Sequence, residues 1–261
     1  RRRLAPCERL VSAFDQIEST WPVHGSVLVQ NDTIYITAGR STYLDGGIVM
    51  YRIDPVSGEE ISRNVVTDID PMTDMQTGVE VPKSFDMEGA TSDILSGDGD
   101  LVFMKQLHFN AEGKPVDELR PHLFSITGFL IDEWFVRTYW LIGTDVEGGW
   151  GKWANAANKV PFGRILSFTD EKIYGYGRME VQNAAVGHRA DATHLFCKQK
   201  VLADTGAVAK GAAKTAIPKA ETFWSDTDSL AVRAMVLADD KLIVAGTPDV
   251  GVKDPSMLAF M

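Results

Sequence analysis

Cysteine is scarce in this chain of 261 residues, with Cys7 and Cys197 the only two. That excludes a zinc centre built from four thiolates, and no Cys-x-x-Cys-His run is present to attach haem. Two thiols permit one disulfide, and two free thiols fit the sequence equally well. Also missing is any apolar run near the ~18–20 residues that a membrane-spanning helix needs. Positive charge is in deficit: 26 Lys and Arg against 36 Asp and Glu leave a formal charge of −10. A protein that neutralises nucleic-acid phosphates needs a basic surface, so the acidic balance argues against duplex binding and against an anionic membrane surface. The chain opens RRRLAPCERL with no Met and no apolar stretch behind the arginines. No signal peptide is read there, and the start is expected to be a trimmed or processed end.

What is present is a repeat. Residues 27–39 read VLVQNDTIYITAG, 94–104 ILSGDGDLVFM, 165–177 ILSFTDEKIYGYG and 235–246 MVLADDKLIVAG. Each is a short apolar run, a turn of Asp, Asn, Gly or Thr, and a second run with β-branched or aromatic residues. That pattern predicts hairpins. Anchored at Ile34, Leu101, Ile173 and Leu242, the second strands recur at spacings of 67, 72 and 69 residues. A third strand is expected after each pair: GIVMYRID at 47–54, HLFSIT at 122–127, HLFCKQ at 194–199 and SMLAFM at 256–261.

Four such units predict an all-β chain, either a β-propeller of four-stranded blades or a generic antiparallel sandwich, with the propeller preferred. The blade-like units fall at about 21–66, 91–143, 163–197 and 232–261. A period near 70 exceeds the ~40–50 residues of ordinary blades, so loops are expected as insertions at 67–90, 109–121, 144–162 and 198–221. Long loops on a rigid sheet scaffold are where binding is expected.

The stretch 21–61, WPVHGSVLVQNDTIYITAGRSTYLDGGIVMYRIDPVSGEEI, resembles the repeat of pyrroloquinoline-quinone-type (PQQ-like) β-propellers. Tyr51, Asp54, Ser57 and Gly58 match the last strand and turn of that repeat. FDMEGATSDIL, HLFSITGFLIDEWFVRTYW and GWGKWANAANKVPFGRIL extend the likeness to large exported repeat proteins of the planctomycete type. The resemblance implies a propeller and a periplasmic, secreted or cell-surface location. It implies no single activity, because such propellers serve dehydrogenases, assembly lipoproteins and scaffolds alike. The chain stops inside the third strand of its fourth unit. Either ERLVSAFDQ at 8–16 supplies a lone outer strand that closes a small ring, or the chain is part of a longer propeller, which the resemblance favours.

A quinoprotein dehydrogenase would need PQQ stacked on a Trp, calcium held by carboxylate and amide oxygens, and an Asp base. Trp140, Trp150 and Trp153 are candidates for the platform, yet the adjacent cysteine pair frequent in such enzymes is absent. GGWGKWANAANK at 148–159 combines flat aromatics with Asn155, a pattern that suits sugar or quinone stacking and equally suits packing on a blade. Arg40, Tyr43 and Asp45 follow the second strand of the first unit, Arg137 lies in FVRTYW, and Arg178 ends the second strand of the third. Arginines recurring at strand ends are candidates to bind an anionic or sugar ligand; salt bridging between blades is the alternative, and the preferred one.

No run of Asp and Glu has the offsets of a calcium loop, and the five histidines never reach HExxH spacing, so no metal site is assigned. His122 and His194 both precede Leu-Phe, which speaks for a structural role. Gly206 to Thr215 fails as a P-loop because Lys214 does not directly follow Gly211. No catalytic residue is assigned. The expectation is an exported, non-catalytic module that docks a protein chain or a glycan and needs no cofactor. The alternative is part of a PQQ- and calcium-dependent alcohol or sugar dehydrogenase.

Overall fold

The computed structural model describes residues 3–13, 15–23, 25, 27–67, 92–105, 107–118, 120–125, 140–143, 161–179, 193–200, 220–227 and 230–248. Among them the chain is all-β, with no helix. Most of the insertions expected at 67–90, 144–162 and 198–221, and the strand expected at 256–261, lie outside the described residues.

The first elements are a two-stranded hairpin, β1 (Leu10–Ala13) and β2 (Gln16–Ser19). ERLVSAFDQ is therefore no lone outer strand: Asp15, at a φ of 61°, turns it back on residues 16–19. Next comes a four-stranded antiparallel meander, the first sheet: β3 (Leu28–Gln30), β4 (Thr33–Ala38), β5 (Ile48–Ile53) and β6 (Glu60–Val66). Its opening turn is the expected Asn31-Asp32 pair, and both residues have positive φ, 48° and 52°. Two left-handed residues in a two-residue loop match the twist of the flanking strands, and Asn and Asp tolerate that region. The DPVSG turn between β5 and β6 also forms as expected. The Asp54 carboxylate accepts bonds from the backbone N–H groups of Val56 and Ser57 and from the Ser57 hydroxyl, and Gly58 takes a φ of 72°. Those donors, Ser57 foremost, hold the Asp54 carboxyl below its ordinary range.

The second sheet joins β7 (Leu95–Asp98), β8 (Leu101–Met104) and β9 (Leu107–Phe109). Here the structure departs from the sequence reading. His122–Phe124, expected as the third strand of this unit, is β10 of a separate sheet. It pairs with β11 (Trp140–Gly143), which also pairs with β12 (Phe162–Gly163). The stretch 91–143 thus carries strands of two sheets. Lys105, at a φ of 55°, reverses the chain directly after β8, so Leu107–Phe109 reaches the β8 edge first. Closing that short loop costs less chain entropy than waiting for His122.

The fourth sheet is again a four-stranded meander: β13 (Ile165–Phe168), β14 (Lys172–Arg178), β15 (Thr193–Gln199) and β16 (Thr222–Asp226). A last hairpin follows, β17 (Leu230–Ala238) and β18 (Lys241–Pro248), turned at Asp239 with a φ of 51°. All four hairpins expected from the repeat are present. The third strands expected at 47–54 and 194–199 are present as β5 and β15.

The sheets pack on one another in chain order. One face of the first sheet lies on the N-terminal segment through Leu4, Ala38, Val49, Tyr51 and Ile53, with Trp21 alongside. Its other face shares a core with the second sheet: Tyr35, Ile48, Met50 and Val66 meet Leu95, Val102, Met104 and Phe109. Polar bonds tie the same pair, among them Tyr35 Oη to the Ala111 carbonyl at 2.7 Å and Thr37 Oγ1 to Ser92 Oγ at 3.0 Å. Ile142 of the third sheet packs on Ile173 and Phe196 of the fourth. Tyr176 and Leu195 on the opposite face of the fourth sheet meet Val232 of the last hairpin. Burial of these side chains, at about 25 cal/mol per Å² of apolar surface, is the main force holding one sheet to the next. Cys7 is exposed and Cys197 buried, and both thiols are free; burial foremost pushes the Cys197 thiol up.

Candidate functional site

Two polar clusters are built into the described structure. The first contains three residues singled out from sequence. The chain leaves β4 at Ala38, passes Gly39 and loops through residues 40–47 before starting β5. Asp45, Gly46 and Gly47 take successive positive φ angles of 57°, 87° and 97°, which turn the Asp45 carboxylate back beneath the loop. Arg40 donates to Asp45 Oδ2 through Nε at 3.0 Å and through Nη2. Arg9, just before β1, approaches Asp45 Oδ1 through Nη1 at 3.4 Å.

One carboxylate, its side chain 7% exposed, therefore carries two guanidinium groups, which are 30% and 61% exposed. Tyr43 belongs to the same loop, where its N–H donates to Ser41 Oγ at 3.2 Å. The arrangement ties the segment before β1 to the loop after β4, which is the salt-bridging role. It also leaves guanidinium donors facing solvent, the chemistry that recognises a carboxylate or a phosphate. Asp45→Asn keeps a side chain that accepts the left-handed backbone but removes the charge. It is expected to cost about 1–2 kcal/mol in urea unfolding, because both cations keep access to water. Arg9 was not read from the sequence; it lies 36 residues from Asp45, and no spacing rule joins them. The remaining candidates, Arg137, Trp150, Trp153, Asn155 and the side chain of Arg178, lie outside the described residues.

The second cluster lies between the second and third sheets. Strand alternation puts His122 and Phe124 on one face of β10, and both are buried. The His122 ring stacks on Phe103 of β8 with centroids 4.1 Å apart and planes 8° from parallel. Its other neighbours are Phe124 at 5.0 Å and His108 of β9, edge-on at 4.8 Å.

Both His122 nitrogens face backbone carbonyls: Nε2 lies 2.7 Å from Lys105 O and Nδ1 3.0 Å from Arg120 O. His108 Nε2 accepts the Arg120 N–H at 3.2 Å and lies 3.1 Å from Arg120 O. The Arg120 carbonyl is thus bracketed by two imidazoles. Its side chain reaches outward to Asp98 O, Asp100 Oδ1 and Glu118 Oε1 at 3.0, 3.0 and 2.9 Å. Burial pushes the His122 pKa down, the carbonyl contacts oppose that shift, and the charge of His108 adds to it.

His194 repeats part of this design in the fourth sheet. It precedes Leu-Phe, bonds Ser225 Oγ through Nδ1 at 2.7 Å and leans on Phe196. His122 and His194 also have a glycine as register partner on the adjacent strand, Gly143 and Gly177. The shared Leu-Phe context marked these two histidines as structural. The contribution of His108 carried no sequence signal, since a sheet-to-sheet contact assembles it.

Among the described residues, no group of three or more His, Cys, Asp or Glu side chains is placed to hold a metal ion. No helix there is long and apolar enough to cross a membrane. In comparisons with known proteins, no family model, no curated protein and no solved structure matches this chain.

Proposed function

We propose that this chain is an exported, non-catalytic scaffold of the PQQ-like β-propeller type that docks another protein chain. The observation that carries the reading is the packing of antiparallel sheets in chain order: the first shares a core with the second, the third with the fourth and the fourth with the last hairpin, while the second and third meet through stacked rings. Such a stack is rigid, and its chemistry is confined to loops and edges. The two four-stranded meanders have the strand order of propeller blades, and the likeness of residues 21–61 to the PQQ-like repeat supplies the family.

The docking surface is the β16 side of the fourth sheet. Every residue of β16 is exposed, including Phe223 and Trp224, and Phe168 is exposed on the same sheet. Lys172 lies over the Phe223 ring at 5.6 Å and Lys200 over Phe168 at 5.2 Å. Exposed aromatic rings are the residues that interfaces enrich, and the ammonium groups add cation–π contacts to them.

The test places a photo-reactive aromatic residue at Trp224 of the full-length protein in the cells that make it. A discrete crosslinked adduct is expected there, and none from Val56, which is exposed in the Asp54 turn. Two results would overturn the proposal: no discrete adduct at Trp224, or oxidation of an alcohol or aldose when purified protein receives PQQ and calcium.

A further inference from the structure

A serine hydroxyl in contact with a buried imidazole is a chemical device as well as a packing contact. Ser225 lies on β16, the exposed edge strand of the fourth sheet. His194 lies on β15 and is 7% exposed. Ser225 Oγ and His194 Nδ1 are 2.7 Å apart, within the reach that a nucleophile and its base require. For that chemistry Nδ1 is the acceptor and the ring proton sits on Nε2.

Strand geometry builds the rest of the site. The register partner of Ser225 is Phe196, so the two share a face, and alternation along β15 adds His194 and Lys198 to it. On that face the Phe196 ring is flanked by the His194 ring at 5.1 Å and the Lys198 ammonium at 5.5 Å. The register slips between Cys197 and Lys198, and a bulge of this kind re-aims side chains at a sheet edge. Ile142 of the third sheet covers Phe196, whereas every residue of β16 is exposed. Ser225 therefore stands at the rim of a sheet-to-sheet interface, with its imidazole buried beside it. Trp224 takes the opposite face of β16, so the site is distinct from the docking surface.

We propose that Ser225 is a covalent acylation site for an activated ester or thioester, with His194 as its base and Lys198 as its anion stabiliser. The Oγ lone pair attacks the acyl carbon while the hydroxyl proton passes to His194 Nδ1. The carbonyl oxygen gains negative charge, which a fixed ammonium group favours. Collapse of that adduct breaks the bond to the leaving alkoxide or thiolate, which takes the proton back from His194. The product is an ester on Ser225, and nothing is oxidised or reduced. One such event per chain is modification rather than turnover, and it leaves the scaffold reading as it stands.

The test is labelling of the full chain with p-nitrophenyl acetate and with a fluorophosphonate, the adducts being mapped by peptide mass spectrometry. Ser225 is expected to react about 100-fold faster than Ser12, a serine exposed on β1. His194→Gln should lower the Ser225 rate by a similar factor, and Lys198→Met should lower it about tenfold. Ser225→Ala should remove the fast adduct and leave slow labelling elsewhere unchanged. Two outcomes overturn the site: Ser225 reacting no faster than Ser12, or a folded His194→Gln or Lys198→Met protein reacting as the wild type does. The comparison of Ser225 with Ser12 in the wild type decides even if both variants fail to fold.

Discussion

Gly47→Ala is expected to unfold at a much lower urea concentration than the wild type, with a loss of about 3 kcal/mol or more. Gly47 has a φ of 97°, a conformation that side chains with a Cβ rarely adopt. Geometry adds a second cost. A Cβ there would lie 2.3 Å from Val66 O and 2.9 Å from Thr67 Cβ. Val66 is the register partner of Ile48, so the added methyl must push β5 and β6 apart where their ladder ends. The loop carrying Arg40 and Asp45 ends at the same point, and its salt bridges are expected to loosen with it. Gly58→Ala is the matched control. Gly58 also has positive φ, 72°, but no atom within 4 Å of the Cβ position. That variant should lose only about 1–2 kcal/mol, the cost of the left-handed backbone alone. Equal losses at the two positions would show that the close approach of β6 contributes nothing.

Phe196→Ala should be of similar severity, about 3–5 kcal/mol, because it empties a large volume from a packed interior. Phe196 is 1% exposed and packs against Ile142 and Ile173, joining the third sheet to the fourth. Its ring also lies over Gly175, its register partner on β14. A Cβ on Gly175 would come 2.1 Å from Phe196 Cζ, so the glycine is the space the ring occupies. Gly175→Ala should therefore destabilise by itself, and Gly175→Ala with Phe196→Leu should cost less than the two singles together. Residues in direct contact couple in this way, while distant ones add. Strict additivity in the double-mutant cycle would place the ring elsewhere.

These positions separate what local chemistry announces from what it conceals. The four hairpins were legible because each turn is two or three residues of Asp, Asn, Gly or Thr between alternating apolar runs. The backbone there adopts what those residues permit: Asn31, Asp32, Gly99 and Asp239 all have positive φ. The Asp54 turn was legible for the same reason, since its bonds run between residues at most five apart in sequence. β9 was missed because LHF is three residues long, and HLFSIT offers a better strand by composition. Only the reversal at Lys105 decides which one reaches β8. The pairing of residues 10–13 with 16–19 was hidden in a similar way, because a single left-handed residue, Asp15, marks its turn.

Of the candidate site, Arg40 and Asp45 were found because they are five residues apart on one loop. Arg9 and His108 were not, because packing between elements brings them to Asp45 and His122. By itself, the sequence determined an all-β chain with four hairpins, two free or paired thiols, and an acid excess of ten charges. Those properties follow from residue composition and from the two-residue period of strands, both of which act over a few residues. Tertiary structure alone decided that the second and third sheets are separate, that both thiols are free, and that the Arg120 carbonyl lies between two buried imidazoles. Such features depend on which strand reaches an open edge first and which faces then exclude water, and neither is written in any local stretch of the chain.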